Sequence, residues 1–126
     1  AGLLQSEKNY ANGELHGIFK TYFPDGKINI SGEYIHGKMT GTWQYYNESG
    51  TCERLMIYKD GLPHGTWVVR YKEGPIKEQT SYKNGVRNGK TKMYALKGSL
   101  LYYAKYKNGD LKKVKVDKRE AASGVK

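Results

Sequence analysis

The 126-residue chain contains a single cysteine, Cys52, and only three prolines. A lone cysteine excludes an internal disulfide and a multi-cysteine metal site, so packing and backbone pairing must supply the stability. Long apolar runs are also missing. Only 37% of the residues are hydrophobic, and none of the apolar stretches approaches the roughly 20 residues that a helical membrane span needs. The first residues lack the basic, apolar, small-residue order of a secretory signal. This favours a cytoplasmic chain and leaves a processed or exported form open. Helix-forming windows are scarce too, because every window of eleven residues before the tail contains a glycine and the apolar spacing is nearer two than 3.6.

Aromatic residues and glycine are what the chain has in quantity. Twelve Tyr, two Trp and two Phe are the wrong composition for a solvated coil. Tyr10, Tyr34, Tyr58, Tyr82 and Tyr106 follow one another at a step of 24 residues, which marks an internal repeat. Three glycine series keep that step: Gly13, Gly37, Gly61, Gly85 and Gly109; Gly17, Gly41, Gly65 and Gly89; and Gly2, Gly26, Gly50, Gly74 and Gly98. Their fixed phase identifies them as structural turn residues rather than as parts of a flexible linker.

Between the turns lie segments of six to eight residues rich in aromatic and β-branched types. The outgoing segments are Ile18 to Phe23, Thr42 to Asn47 and Thr66 to Tyr71, and the return segments are Ile28 to Tyr34, Cys52 to Tyr58, Ile76 to Tyr82 and Leu100 to Tyr106. They read as strands. The endings Asp60-Gly61, Asn84-Gly85 and Asn108-Gly109, together with Pro24-Asp25-Gly26, are turn signals. Each unit is therefore two strands and two turns. The expected fold is all-β: a single repeat array of 24-residue β-hairpin units forming an elongated, twisted antiparallel meander sheet.

The array is expected over residues 1–112, with a half unit at 1–10, units starting near Tyr10, Tyr34, Tyr58 and Tyr82, and a partial unit from Tyr106. Gly2 and Leu4 fall in phase with Gly26 and Ile28, so the chain begins half-way through a unit, as a truncated or processed product would. Alternating Lys and Val predict a basic capping strand over 113–119, and residues 120–126 read as a disordered tail. Strict alternation puts Ile28, Cys52, Ile76 and Leu100 on the face that carries Gly32, Met56, Thr80, Ala104 and the periodic tyrosines. Phe19, Trp43 and Trp67 share one phase, and Tyr22, Tyr46 and Tyr94 the opposite one, so aromatics are expected on both faces.

The pattern from Tyr58 to Trp67, repeated from Tyr10 to Phe19, is Tyr-x-Asn/Asp-Gly-x-x-His/Asn-Gly-x-Trp/Phe. It resembles MORN repeats (membrane occupation and recognition nexus), specifically the bacterial MORN-variant type, over residues 2 to about 112. The fourth unit departs most, with Thr91 at the Trp/Phe position and Asn88 in place of His16 and His64. The resemblance implies a meander of β-hairpins without an active site, acting as a binding or scaffolding module. Bacterial relatives are often catalogued as antitoxin-like members of toxin–antitoxin pairs.

Catalysis has little support. His16, His36 and His64 each precede a turn glycine, and neither a nucleophile elbow nor a phosphate loop is present. Cys52 fills a slot occupied elsewhere by Ile28, Ile76 and Leu100, as a small core residue would. The chain is therefore read as a non-enzyme, with neither metal nor cofactor.

Charge is the second functional signal. Residues 1–58 carry net −1 and residues 59–126 net +11. Lys83, Arg87, Lys90 and Lys92 surround one turn, and Arg70, Lys112, Lys113 and Lys115 add to the same half. These positions are candidate electrostatic contacts, and Phe19, Trp43, Tyr45, Trp67 and Tyr71 are candidate partner-binding residues, because Trp, Tyr and Arg dominate interface energetics. A protein partner with acidic character is the leading expectation and anionic lipid the alternative. Nucleic acid ranks last, since the chain has no base-stacking signature.

Overall fold

The computed structural model describes residues 5–117. The positions of Gly2, Leu4, Lys118, Arg119 and the tail lie outside the described residues. Strands come in chain order as β1 (Ser6–Glu7), β2 (Tyr10–Ala11), β3 (Glu14–Leu15), β4 (Gly17–Tyr22), β5 (Ile28–Ile35), β6 (Lys38–Tyr46) and β7 (Cys52–Lys59). They continue with β8 (Leu62–Pro63), β9 (Gly65–Arg70), β10 (Ile76–Lys83), β11 (Val86–Tyr94), β12 (Leu100–Lys107) and β13 (Asp110–Val116). The fold is all-β. One antiparallel sheet runs in the order β1-β4-β5-β6-β7-β9-β10-β11-β12-β13, with β8 also on β7 and β2–β3 a separate hairpin, so from β4 onward the sheet follows the chain, and it stays open. No helix among the described residues is long and apolar enough to cross a membrane.

Two kinds of turn alternate along the two edges. On one edge, Lys59 pairs with Leu62 across Asp60 (φ 51°) and Gly61 (φ 80°). Two successive positive φ values make a type I′ turn, whose twist matches that of its flanking strands. His36-Gly37, Asn84-Gly85, Asn108-Gly109 and Asn12-Gly13 repeat it, and Asn, Asp and His are the non-glycine residues that tolerate the left-handed region best. On the other edge, Gly26 donates its amide to the Phe23 carbonyl (2.8 Å) and Phe23 donates to Lys27 (2.8 Å). The same closure recurs at Asn47, Tyr71 and Ala95. The outgoing strands consequently end at Tyr22, Tyr46 and Arg70, one residue sooner than composition suggests, because Phe23, Asn47 and Tyr71 belong to the turns.

Thirteen glycines have positive φ, and of the described glycines only Gly32 does not. At Gly61 a Cβ would meet Lys38 at an ordinary 3.6 Å, so the constraint there is the backbone rather than space. Replacing Gly61 by Val should therefore cost at least about 1 kcal/mol in urea unfolding, through strain alone. Asp60→Gly, at the neighbouring position of the same turn, should cost far less. Equal losses at the two sites would show that the turn does not set the requirement.

Successive type I′ turns are tied together. The amides of Gly37, Gly61, Gly85 and Gly109 donate to the carbonyls of Leu15, Met39, Pro63 and Arg87, at 2.7 to 2.9 Å. Each unit thereby docks on the one before it, which is how a nearest-neighbour array holds together.

Three expectations are corrected by the register. A bulge lies between Ile28 and Ile30, where Tyr22 pairs with Ile28 and Thr21 with Ile30. Equivalent bulges precede Arg54, Glu78 and Tyr102. Because paired residues share a face, Ile28, Cys52, Ile76 and Leu100 join Tyr22, Tyr46, Arg70 and Tyr94 instead of the tyrosine face. Tyr10 sits in the separate β2–β3 hairpin and is 63% exposed, outside the tyrosine series. The basic end strand begins at Asp110, not Lys113.

Candidate functional site

One face of the sheet carries a chain of rings. Phe19 touches Tyr34 and Trp43, both at 5.5 Å between ring centres, and Tyr34 meets Trp43 edge-on at 5.1 Å. The chain continues from Trp43 to Tyr58 (6.4 Å), Tyr58 to Trp67 (5.2 Å) and Trp67 to Tyr82 (4.9 Å). Phe19 thus opens the chain, and the next outgoing strands insert Trp43 and Trp67 between consecutive tyrosines. Trp43 is only 2% exposed, and its indole N–H donates to the Glu33 carbonyl (3.2 Å). The Trp67 indole makes the equivalent bond to Ile57 (2.8 Å) and is half-buried. These rings form the thin core that a single sheet can assemble on one side. Trp43 is accordingly a core residue with little surface to present to a partner.

The remaining aromatic candidates divide. Tyr45 pairs with Ile30 and Arg54 on the ring face, and burial, then Tyr34, push its phenol above the ordinary range while Arg54 opposes them. Burial raises Tyr58 in the same way, with Tyr45, Tyr34 and Tyr82 adding to it. Tyr71 lies at the turn edge, where its hydroxyl donates to the Tyr94 carbonyl of the next unit (2.7 Å) and the Lys77 ammonium lies 5.7 Å from its ring centre. It braces two turns rather than joining the ring face.

The basic candidates divide as well. Arg70 donates to the Gly74 carbonyl (3.1 Å) and clips its own turn. Arg87 pairs with Tyr82 and lies over Tyr106 at 5.2 Å, donating to that hydroxyl at 3.1 Å. The Tyr82 hydrogen bond, followed by that of Tyr106, holds its guanidinium even more firmly charged, against the opposing effect of burial. Arg87 therefore extends the ring face where Thr91 replaces a tryptophan, and it is separated from Lys90 and Lys92. Those two face the opposite way, with Lys90 directly across from Lys105 and Lys92 from Tyr103. On the next strand Lys113 pairs with Lys105 and Lys115 with Tyr103. Five lysines and one tyrosine thus occupy two adjoining rows of one face over β11, β12 and β13, and Lys105 is the member that sequence reasoning missed. Lys83 stands beside the Asn84-Gly85 turn, and Lys112 is the bulge residue of β13. The ion pair between described residues is Lys27 with Asp25, remote from this patch.

The histidines serve the turns. His36 donates its amide to Nδ1 of His16 (3.2 Å), and Asn84 donates to Nδ1 of His64 (3.4 Å). Asn108 donates to Oδ1 of Asn88 (2.9 Å), so Asn88 takes over the histidine's part in the fourth unit. In each case the first residue of one turn is fastened to the unit before it. Among the described residues, groups of three or more side chains able to hold a metal ion are absent.

The recurrent Tyr–turn–Trp unit, docked turn on turn, is what family comparison recognises: the MORN repeat variant pattern matches residues 15–36 and 63–84. Those two stretches are similar to MORN repeats of the variant type. Each match runs from just after one type I′ turn to the next, and includes Phe19 with Tyr34 or Trp67 with Tyr82. The second and fourth units follow the same hairpin geometry outside the two matched stretches. No curated protein matches the chain. MORN repeats are non-enzymatic modules associated with protein or membrane binding.

Proposed function

We propose that this chain is a non-catalytic protein interaction or scaffold module whose partner has acidic character. The observation that carries the reading is the division of labour between the two faces. The rings of Phe19, Trp43 and Trp67 are occupied with one another, whereas the lysine rows of β11 to β13 lack carboxylate partners among the described residues. Like charges placed directly across a sheet destabilise it, so a row such as Lys90, Lys105 and Lys113 is a cost to the fold that a bound acidic partner relieves. An antitoxin-like role is the narrower form of this reading, with a toxin as the partner.

Peripheral binding to anionic phospholipid is the second reading, favoured by the same five lysines pointing one way, each contributing about 1 kcal/mol near such a surface. Capture of partners from the native cell lysate at low and high salt, alongside sedimentation with phosphatidylserine-containing and neutral vesicles, separates the two. A discrete protein retained at about 0.15 M salt in the presence of vesicles is the expected result. Retention by anionic vesicles alone, lost at high salt, would replace the protein-binding reading with the lipid one.

A further inference from the structure

The repeat changes phase at its C-terminal end. Trp43, Trp67 and Thr91 occupy equivalent places 24 residues apart, yet Ala104, which pairs with Thr91 on one side, pairs with Val114 on the other. The last step is therefore 23. The cause is the bulge: β11 carries two extra residues around Gly89, between the pairs Tyr82–Arg87 and Thr80–Thr91, whereas β13 carries one, Lys112. Position 113, where a glycine is due, is lysine. The slip moves Lys113 opposite Lys105, in the place of Lys90, and Lys115 opposite Tyr103, in the place of Lys92. β13 thus repeats the basic face of β11 on the far side of β12.

Its other face is apolar. Leu111, Val114 and Val116 alternate with the lysines and are 54%, 51% and 48% exposed, and all seven residues of β13 are exposed. A shallow cleft beside the strand is lined by Leu101, Tyr103, Lys115 and Val116, among others. β13 is the last strand of the described sheet, so the outer amides and carbonyls of its backbone have no strand partner among the described residues.

We propose that β13 is the docking edge of the module and that its occupant is an extended segment of a partner protein in which acidic and apolar residues alternate. Added as a further strand, such a segment would set carboxylates beside Lys113 and Lys115 on one face and apolar side chains beside Val114 and Val116 on the other, while its backbone completes the ladder. A second copy of this chain fits poorly, because pairing β13 with itself brings lysines together. A lipid surface or a nucleic acid meets one face and has no use for opposite chemistries on the two sides of one strand. The inference rests on the protein-binding reading above and narrows it to one edge and one kind of partner segment.

The test compares a peptide of about eight residues alternating Glu and Val with one of the same composition in two blocks, by titration and by backbone hydrogen exchange. The alternating peptide should bind about tenfold more tightly and slow exchange of β13 amides. Reversing Lys113→Glu and Lys115→Glu together should lower that affinity at least about tenfold and create binding to an alternating Lys-Val peptide. These side chains are exposed, and circular dichroism and a melting curve verify the variant's fold; the exchange result on the unaltered chain stands without it. Equal affinity for the two acidic peptides, or slowed exchange elsewhere than β13, overturns edge docking while leaving charge-driven protein binding in place. Slowed exchange at β13 through dimerisation, before any peptide is added, also overturns it. Binding to phosphatidylserine vesicles with neither acidic peptide bound would remove the protein-binding reading itself.

Discussion

Gly32→Ala is expected to destabilise the protein by about 1 to 3 kcal/mol, the range for forcing a methyl group into a filled core, and to do so only while Trp43 is present. A Cβ at residue 32 would overlap the Trp43 indole at Cδ2 and Cε2. Gly32 is also the one described glycine without a positive φ, so it is required for space rather than for conformation. Trp43→Ala should cost about 3 to 5 kcal/mol through the cavity it leaves among Phe19, Tyr34 and Tyr58. In the double variant the methyl group added at position 32 enters the vacated volume, and the total loss should be no larger than that of Trp43→Ala alone. Urea midpoints of the four proteins give the coupling directly. Additive losses would mean that the ring is not seated over Gly32.

That pair also shows what can and cannot be read from the chain itself. The period of 24 is carried by residues of strong local preference: Asp60-Gly61 and Asn84-Gly85 declare their turns wherever they stand, and Tyr58 and Tyr82 keep their distance from them. The strands, the turns and the meander were therefore legible in the residues alone. Face assignments were legible only up to the first bulge. Alternation predicts which side Ile28 takes only if every residue between Ile28 and Ile30 is paired, and the bulge beside Tyr22 breaks that count.

Contacts between strands were less accessible still. Gly32 and Trp43 are eleven positions apart, and their complementarity depends on β5 lying beside β6 at one register. Arg87 and Lys90 are neighbours in a charge count, but they stand three positions apart on one strand and so on opposite faces, Arg87 with Tyr82 and Lys90 with Lys105. The row of Lys90, Lys105 and Lys113 requires three strands and a change of step. A lysine at position 113 in place of the expected glycine was the visible signal, and it signified a shortened bulge as well as a basic cap.

Removing residues 34–57 in one piece should leave a folded protein, and removing 34–45 should abolish the fold. The first deletion joins Glu33 to Tyr58, an equivalent point of the repeat, so Tyr58 inherits the position of Tyr34 and Asp60-Gly61 that of His36-Gly37. Every tie across the junction has a substitute. The Gly61 amide, which now donates to the Met39 carbonyl, would find that of Leu15, the present partner of Gly37. Trp67 would come to lie over Gly32 in the place of Trp43, since both stand two residues after the glycines Gly41 and Gly65. The sheet loses β6 and β7 but keeps antiparallel pairing from end to end, and in a nearest-neighbour array that reduces stability without destroying cooperativity. The shorter deletion removes one turn and most of β6, so β5 would run directly into Tyr46 and the turn at Asn47. The strands after the junction would then run the opposite way relative to β5, so the type I′ turns of the later units would fall on the edge away from the first unit's and could not dock on it. Circular dichroism and urea unfolding should show a single transition at a lower midpoint for the 24-residue deletion and no transition for the 12-residue one. A folded 12-residue deletion, or an unfolded 24-residue one, would mean that the unit of this array is not the hairpin pair that begins at each periodic tyrosine.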